Sequence, residues 1–435
     1  MKQYNSYKDS GVQWIGKIPS HWKVMCLKRL LEKPLQYGAN EPAEDINVNH
    51  PRYIRITDIT DDGKLRDDSC KSLSPQKAQD YLLKKGDILF ARSGATVGKT
   101  YLFDENYSAC FAGYLIKASC SKQILPTYLL YYTQSGLYNN WKNSIFIQST
   151  IQNIGADKYS YLPITLPQPS EQQAIAAYLD KKCAEIDKAI ATQQKRIELL
   201  QELRQNIITH AVTRGINPDA PLKDSGVEWI GMIPEHWDVM KTSLIYHHIG
   251  SGTTPSTSKP QYYTEDGDGY FWLQTGDLND GLIMGTSKQV TKEAVEECNL
   301  RFYPEGSVVI AMYGATIGKV GLLKIETATN QACCVLPNSK KMSEYYSFYL
   351  YQAAKTPLLI EAMGGGQPNI GQDIIKKLKV PVPPITEQKE IVSYIEYEII
   401  KIDGSISKAN RQISLLQELK QSIITEVVTG KRKVC

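Results

Sequence analysis

Three features of other protein classes are missing from this 435-residue sequence. It has no run of about 18 apolar residues, which a membrane-spanning helix would require. Its start, MKQYNSYKDSG, lacks the basic and apolar segments of a secretory signal peptide. Its nine cysteines include no C-x-x-C pair and no histidine at zinc-ligand spacing, so we expect reduced thiols and no metal site. Together these absences predict a soluble, cytoplasmic chain of roughly two to three domains.

Strong charge of either sign is missing too. Fifty Lys and Arg residues oppose 46 Asp and Glu, which leaves a net charge of +4. A protein that binds DNA on its own usually has a more basic balance. Net charge therefore neither requires nor excludes a nucleic-acid partner.

The sequence does contain a duplication. KDSGVQWIGKIPSHWKVM begins at Lys8 and returns, with most positions identical, as KDSGVEWIGMIPEHWDVM from Lys223. Further along, LLQELRQNIITHAVT from Leu199 returns as LLQELKQSIITEVVT from Leu415. Each copy thus consists of a tryptophan box, a variable segment and a closing helix.

The duplication predicts the domain organisation. The variable segments are rich in Tyr, Ile, Val and Thr between turn clusters, so we expect mostly β structure with some helix. The linker RGINPDAPL contains one Gly and two Pro, which stop the helix before it. From the N-terminus we expect a first domain at 1–165 with its box at 8–25, a central long helix at 166–213, a linker at 214–222, a second domain at 223–383 with its box at 223–240, a distal long helix at 384–430 and a basic tail at 431–435.

Both closing segments carry a seven-residue apolar repeat. This repeat favours a coiled coil between the two helices over the alternative of an ordinary core helix. Gln193, Arg204, Ala409 and Lys420 interrupt it. Polar interruptions can fix the register of a pair, but for the two cations we favour side chains that extend to water. The aliphatic seam residues are Leu179, Ile186, Ile190, Ile197, Leu200, Ile207, Ile395, Ile402, Ile406, Ile413, Leu416 and Ile423.

The stretch ARSGATVGKT is similar to a nucleotide phosphate loop but departs from its pattern. Gly94 and Gly98 have three residues between them, where that loop needs four. The flanks DILFA and TYLFD indicate two strands, whereas the nucleotide motif continues into a helix. The second copy, AMYGATIGKV, has Val320 in place of Thr100. We therefore predict a tight hairpin turn whose glycines have positive φ.

Polar side chains cluster on this turn. Such side chains can donate hydrogen bonds to phosphates or base edges. The two copies keep the glycines of the turn but differ in the side chains at its tip, which suits two related domains that recognise different DNA sequences. The first copy offers Arg92, Ser93, Thr96 and Lys99, and the second offers Met312, Tyr313, Thr316 and Lys319 at the same places.

These motifs in this order resemble the specificity subunit of type I restriction-modification systems. The resemblance rests on the tryptophan box, GATVGK, LPQPSEQQAIAAYLD, LLQELRQNIITHAVTRG and their repetition, and it covers essentially the whole chain. It implies an α+β fold in which two mixed α/β target-recognition domains are separated by two long antiparallel coiled-coil helices with pseudo-twofold symmetry. It also implies a non-catalytic subunit whose domains each read one half of a bipartite, asymmetric double-stranded DNA site.

The partners implied by the resemblance carry the chemistry. Two methylase subunits would use S-adenosylmethionine to methylate adenine N6, and restriction subunits would use ATP and magnesium. No cofactor is expected in this chain. The helices would act as a docking scaffold and as a spacer, so one extra turn of about four residues near Gln193 should widen the gap by roughly two base pairs.

The resemblance points to loops as the DNA-facing regions. Arg55 and Arg92 are the preferred major-groove readers, because arginine to guanine is the commonest specific contact. Gln274 aligns with Arg55 and suits adenine. The alternative for each is a solvent-exposed or salt-bridged surface residue. The loops SGTTPS, FIQSTIQN and GGGQPNIG add Thr253, Thr254, Gln148, Ser149, Gln367 and Asn369.

The residues agree with a non-catalytic role. No glycine-rich cofactor loop and no Asn/Asp-Pro-Pro-aromatic motif occurs, since the one Pro-Pro pair lies in PVPPIT. We expect His21 and His236, beside the box tryptophans, to be structural. A rival interpretation is a non-enzymatic coiled-coil scaffold with two domains that bind proteins or small ligands.

Overall fold

The chain forms two compact units. The computed structural model describes residues 3–60, 63–66, 68–146, 152–264, 267–362 and 369–434. One unit comprises Met1–Gln194 with Asn410–Cys435, and the other comprises Lys195–Ala409. Both divisions fall inside long helices, so each unit holds one β-rich domain and part of each helix. In the described ranges no helix has the length and apolarity needed to cross a membrane.

The first unit is built from short strands and helices around a four-stranded sheet. Its strands are β1 (Tyr7–Asp9), β2 (Lys17–Pro19), β3 (Lys23–Cys26), β4 (Gln36–Tyr37), β5 (Arg52–Ile54), β6 (Asp87–Ala91), β7 (Thr100–Leu102), β8 (Ala109–Phe111), β9 (Leu115–Ser119) and β10 (Pro163–Leu166). Its helices are α1 (Pro75–Ala78), α2 (Pro126–Thr133), α3 (Gly136–Phe146), α4 (Ala156–Ser160) and the first part of α5 (Pro169–Arg214).

In this unit the sheet order is β4-β9-β6-β7. Strand β6, with the apolar sequence DILFA, is buried along its length and pairs antiparallel with both neighbours. Strands β5 and β8 form a separate parallel pair. Strand β10 returns to pair with β3 and leads the chain into α5.

The second unit repeats this frame with more strands. Its strands are β11 (Leu222–Asp224), β12 (Met232–Pro234), β13 (Asp238–Lys241), β14 (Gly250–Ser251), β15 (Tyr263–Thr264), β16 (Tyr270–Leu273), β17 (Gly281–Ile283), β18 (Gln289–Val290), β19 (Phe302–Tyr303), β20 (Val308–Ala311), β21 (Val320–Leu323), β22 (Thr327–Thr329), β23 (Cys333–Leu336) and β24 (Lys379–Val382). Its helices are α6 (Thr242–Ile245), α7 (Lys292–Glu297), α8 (Glu344–Ala353), α9 (Lys355–Ala362), α10 (Gln372–Lys377) and the first part of α11 (Ile385–Val428).

The second unit contains two five-stranded sheets, β14-β23-β20-β21-β17 and β15-β18-β16-β22-β19, together with the strand pairs β11–β12 and β13–β24. The antiparallel pair β20–β21 corresponds to β6–β7, the parallel pair β16–β22 to β5–β8, and the pair β13–β24 to β3–β10. Helical and strand residues contribute about equally to both variable segments, so the mixed α/β fold is confirmed but the expectation of mostly β structure is wrong. The duplication extends to strand pairing.

The long helices match the predicted seam. Helix α5 has 46 residues and α11 has 44. Gly215, with φ of 74°, stops α5 as the linker predicted. Between 190 and 207, the sheltered positions are the seam positions 190, 193, 197, 200, 204 and 207. In α11 the positions 395, 399, 402, 406, 409, 413, 416, 420, 423 and 427 are likewise sheltered.

Within the first unit the two helices pack antiparallel. Arg432 Nη1 donates to Tyr178 Oη at 3.4 Å, and Lys420 Nζ donates to Asp187 Oδ1 at 2.6 Å. Residue numbers rise along one helix as they fall along the other, as an antiparallel pair requires. Ile190 and Leu416 both pack against the core of this unit.

The charged seam residues do not simply extend to water, which corrects the interpretation favoured from the sequence. Lys420 pairs with Asp187, and Arg204 Nε lies 4.0 Å from Asp403 Oδ1 in the second unit. The antiparallel arrangement places a carboxylate of the facing helix beside each cation. Sequence periodicity alone could not show this, because both aspartates lie outside the apolar seam.

The tryptophan box of the first unit is anchored to the start of α5. Trp22 is fully buried, and its Nε1 donates to Glu171 Oε2 at 3.0 Å. His21 Nε2 lies 3.0 Å from the same oxygen, and Tyr4 Oη donates to Glu171 Oε1 at 2.5 Å. A carboxylate in the first helical turn is also favoured by the helix dipole.

The second box repeats this anchor at the start of α11. Trp237 Nε1 donates to Glu387 Oε2 at 3.0 Å, and His236 Nε2 lies 2.8 Å from that oxygen. Both box histidines therefore hold the fold together, as the structural interpretation predicted.

Candidate nucleic-acid interface

The glycine motifs form hairpins, as predicted. We call the segments 87–102 and 308–323 the glycine hairpins. In the first, β6 and β7 are antiparallel and flank a short 3-10 turn. The turn glycines all have positive φ: 73° at Gly94, 84° at Gly98, 85° at Gly314 and 75° at Gly318. A strand, rather than the helix of a nucleotide loop, follows each turn.

The fold brings a second repeated motif to the first glycine hairpin: NIG, which occurs at residues 153–155 and again at 369–371. Ser93 and Asn153 form an isolated antiparallel bridge. The amide of Ile154 donates to the carbonyl of Arg92 at 2.8 Å. Two segments that are far apart in the sequence thus form one polar surface.

The second unit makes the same connection. The amide of Ile370 donates to the carbonyl of Met312 at 2.8 Å. In addition, Thr316 Oγ1 donates to the carbonyl of Thr275, which lies in the turn after Gln274, at 2.8 Å. The second glycine hairpin, its NIG segment and the Gln274 turn therefore belong to one surface.

The guanidinium of Arg92 lies over an aromatic ring. Its guanidinium carbon lies 4.9 Å from the centre of the Tyr37 ring, and Nη1 reaches the carbonyl of Gly113 at 3.5 Å. Within the described ranges, Arg92 Nε and Asn153 Oδ1 are buried without a hydrogen-bond partner. Met312, the counterpart in the second unit, is a buried apolar side chain.

Arg55 and Gln274 occupy equivalent positions. Each precedes a 3-10 turn after a parallel strand pair, and its amide donates to an aspartate three residues on, Asp58 or Asp277. The side chain of Arg55 also donates hydrogen bonds: Nη2 lies 2.8 Å from Asp58 Oδ1 and 2.9 Å from the carbonyl oxygen of Ser69. The salt-bridged alternative thus describes Arg55 in this structure, and its contact with a base remains a prediction.

The SGTTPS loop is tied to the second unit's sheets. The carbonyl of Thr253 accepts a bond from Trp272 Nε1 at 3.1 Å, and Thr254 Oγ1 donates to Gln331 Oε1. The Thr253 side chain is exposed.

The remaining predicted contacts vary in exposure. Tyr313 and Asn369 are exposed, and Ser93, Thr96, Lys99 and Lys319 are half-buried. Gln148, Ser149 and Gln367 lie outside the described residues.

Two lysines that sequence reasoning did not single out lie on the hairpin turns. A Cβ atom on Gly98 would lie 2.5 Å from Lys142 Cδ, and one on Gly318 would lie 3.0 Å from Lys355 Cγ. The lysines come from α3 and α9, which follow their turns only after intervening strands and another helix. Nothing in their local sequence marks them, because the contact exists only after the helix packs on the sheet.

Comparisons with known proteins agree with the duplicated architecture. The model of the type I restriction modification DNA specificity domain family matches residues 19–201 and 234–413. A putative type I restriction enzyme MjaX specificity subunit of Methanocaldococcus jannaschii is 27% identical over 97% of this chain and 96% of its own length. The EcoKI specificity subunit of Escherichia coli K12 is 21% identical over 96% and 90%.

Solved structures share the fold. A chain from a type I restriction-modification system, solved to describe complex assembly and conformational transition, has a TM-score of 0.70 at 16% identity. The likeness covers 94% of this chain and 98% of that one. The HsdS subunit of Thermoanaerobacter tengcongensis has a TM-score of 0.50 at 16% identity, over 95% and 98%.

Proposed function

This chain belongs to the type I restriction modification DNA specificity domain family, and from that premise we propose that each unit reads one half of a bipartite DNA site. One observation carries the proposal. In both units the glycine hairpin and the NIG segment are joined by the same backbone hydrogen bond, at 2.8 Å, while the side chains on that frame differ. The same backbone arrangement with different side chains at the hairpin tip suits two domains that recognise different base sequences.

The two half-sites should differ from each other. Arg92 in the first unit and Met312 in the second occupy the same place with opposite chemistry. A stacked guanidinium can donate two bonds to guanine, whereas a buried thioether cannot donate any. The recognised sequence is therefore asymmetric.

Arg92 is the residue best prepared to read a base in the first half-site. The Tyr37 ring and the carbonyl of Gly113 already hold the guanidinium in place, so less side-chain freedom is lost on binding. The unpaired Nε can gain an acceptor on binding. Arg55 would first have to exchange part of its bond to Asp58, so we rank it second.

We further propose that α5 and α11 dock two methylase subunits and set the gap between the half-sites. Leu199, Leu203, Leu415 and Leu419 are about half exposed, at 53%, 47%, 54% and 48%. Each pair spans one helical turn and offers an apolar stripe outside the seam. Lys182 and Lys195 on the outer face of α5 instead bond to neighbouring glutamates, Glu185 at 2.7 Å and Glu198 at 2.9 Å.

In the proposed complex the partners supply the chemistry. The methylase subunits would transfer a methyl group from S-adenosylmethionine to adenine N6 in each half-site. Restriction subunits would add ATP-dependent cleavage with magnesium, and the assembly would act in the cytoplasm on chromosomal DNA. This chain would contribute recognition and spacing, and no cofactor would bind to it.

The test is to co-express the chain with its methylase subunit and map N6-methyladenine by single-molecule sequencing. We expect one bipartite, asymmetric motif with a fixed gap. A matched control carries Leu199→Glu and Leu203→Glu, which should prevent co-purification of the methylase and abolish the motif. Absence of new methylation despite a stable wild-type complex would contradict the proposal.

The salt dependence of DNA binding distinguishes DNA recognition from the rival interpretation of a coiled-coil scaffold that binds proteins or small ligands. A protein that binds DNA releases counterions, so its affinity for duplex falls steeply with salt.

Exchanging residues 24–160 for the first domain of another family member should change one half-site and leave the other. A change in both halves would show that the domains do not read independently.

A further inference from the structure

Lys142 and Lys355 occupy matching places beside the two glycine hairpins. In the first unit the stem of Lys142 lies on the second glycine of the turn, with Cδ 2.5 Å from the place of a Gly98 Cβ. In the second unit Lys355 lies on Gly318 in the same way, at 3.0 Å. The side chains at the hairpin tips have diverged, but this contact is present in both units. It therefore belongs to the shared frame.

Packing alone does not explain why both residues are lysines. An uncharged side chain of similar length would cover the glycine equally well, because the contact is made by methylene groups. Partial burial of the charged end is unfavourable. Lys142 is half-buried, and burial lowers the pKa of its ammonium. No carboxylate acts against that effect. In the described part of the chain, neither lysine is in an ion pair or a side-chain hydrogen bond.

A half-buried ammonium without a counter-charge is improved by an anion from outside the chain. The neighbours of Lys142 favour one anion in particular. The turn it covers carries Thr96 and Lys99, and the tip before it carries Arg92 on its aromatic support. Arg92 and Lys142 therefore place two cationic side chains on one hairpin, whose tip is proposed to face a base.

We propose that Lys142 and Lys355 bind backbone phosphates of the DNA and seat each glycine hairpin against the duplex. The inference rests on the proposed DNA-reading function. Phosphate contacts position a protein without carrying sequence information. The lysines would thus supply the same contact in both half-sites while the differing tips read the bases.

The test measures how duplex affinity depends on salt. The full-length chain is titrated onto a fluorescent random-sequence duplex between about 50 and 200 mM salt, where each phosphate contact contributes about −0.9 to the slope of log affinity against log salt. Lys142→Met keeps the stem on the glycine and removes the charge. We expect it and Lys355→Met each to reduce the slope by about 0.9, and the double variant by about 1.8.

Two controls make the result specific. Lys142→Arg retains the charge and should retain the slope. Lys122→Met removes an exposed lysine of the same domain and should leave the slope unchanged. The methylation motif of the co-expressed complex should keep its bases in every variant, because phosphate contacts do not select them.

The outcomes separate this inference from the function on which it rests. If duplex binding by the unmodified chain does not depend on salt, the DNA-reading function itself is wrong. If the unmodified chain shows a steep slope that Lys142→Met and Lys355→Met leave intact, only the phosphate role is wrong. The melting temperature of each variant is measured as well. If Lys142→Met melts at a lower temperature than the unmodified chain, the salt slope of Lys355→Met decides whether the phosphate role holds.

Discussion

Lys420 Nζ lies 2.6 and 2.8 Å from the two carboxylate oxygens of Asp187, which joins α11 to α5 inside the first unit. The duplication relates Asp187 to Asp403, and it relates Arg204 to Lys420 by the same offset. In the second unit those counterparts also face each other, with Arg204 Nε 4.0 Å from Asp403 Oδ1. Each ion pair thus combines a carboxylate from one copy with a cation from the other. Charge, as well as the apolar seam, specifies the antiparallel register.

Breaking the closer pair should weaken the helix packing measurably. Asp187 and Lys420 side chains are 45% and 22% exposed, so water screens them in part. We expect a coupling of about 0.5–1 kcal/mol from a double-mutant cycle with Asp187→Ala and Lys420→Ala. The measurement is the free energy of unfolding in urea.

Two comparisons bound this prediction. The Lys182–Glu185 pair on the exposed face of α5 should show a smaller coupling than the Asp187–Lys420 pair, because both of its side chains are open to water. Arg204 and Asp403, at 4.0 Å and without a hydrogen bond, should fall below the Asp187 pair. Equal couplings at all three sites would contradict a register role.

The seam, the hairpins and the duplication could be predicted because each depends on local order in the sequence. A seven-residue apolar repeat favours a helix paired along that face, and the less exposed positions from Ile190 to Ile207 follow the repeat. The glycine spacing in GATVGK similarly excluded a nucleotide loop before the strands were known.

The remaining features depend on contacts between distant segments. Asp58 lies only three residues from Arg55, yet nothing in RITD shows that the carboxylate would be buried and hold the guanidinium. Lys142 has no sequence signal at all, because its place on Gly98 is fixed by the packing of α3. Partners of polar side chains follow from tertiary packing, which periodicity does not encode.

Removing the acceptor of the tryptophan box should destabilise the two units unequally. Glu171 accepts from Trp22 and Tyr4 and contacts His21, whereas Glu387 is bonded to Trp237 and His236. Glu171→Ala leaves the buried Trp22 N–H without its acceptor, so we expect a loss of about 1–3 kcal/mol in the free energy of unfolding.

Glu387→Ala should cost less, because one donor fewer loses its partner. Glu185→Ala, an exposed change on the same helix as Glu171, is the control and should lower the free energy of unfolding far less than Glu171→Ala does. The measurement is thermal unfolding followed by tryptophan fluorescence. Equal losses for Glu171→Ala and Glu185→Ala would show that the anchor contributes nothing.

Replacing Arg92 should change the specificity of one half-site. Arg92→Met copies the residue of the second unit and removes the guanidinium, which should relax discrimination at one base pair by about 1–3 kcal/mol. Tyr37→Phe keeps the ring and should keep the motif, while Tyr37→Ala should resemble Arg92→Met in part. Methylation maps of the co-expressed complexes give the result, and a change in the other half-site would count against separate readers.

Lengthening both helices by one heptad tests whether they set the gap. The seam repeats every seven residues, so a heptad inserted after Gln194 in α5 and after Ala409 in α11 keeps the apolar stripe in phase. It adds about 10 Å of helix, equal to about three base pairs at 3.4 Å per step. DNA can absorb part of that length by twisting, so the gap should widen by up to about three base pairs with both half-sites unchanged. Four residues inserted into α5 alone, the change from which the sequence predicted a gap wider by about two base pairs, would put the seam out of phase with α11. The paired helices therefore replace that prediction: this variant should have a lower melting temperature before its gap changes. A complex that folds normally with both heptads and keeps its original gap would show that another part of the assembly sets the spacing.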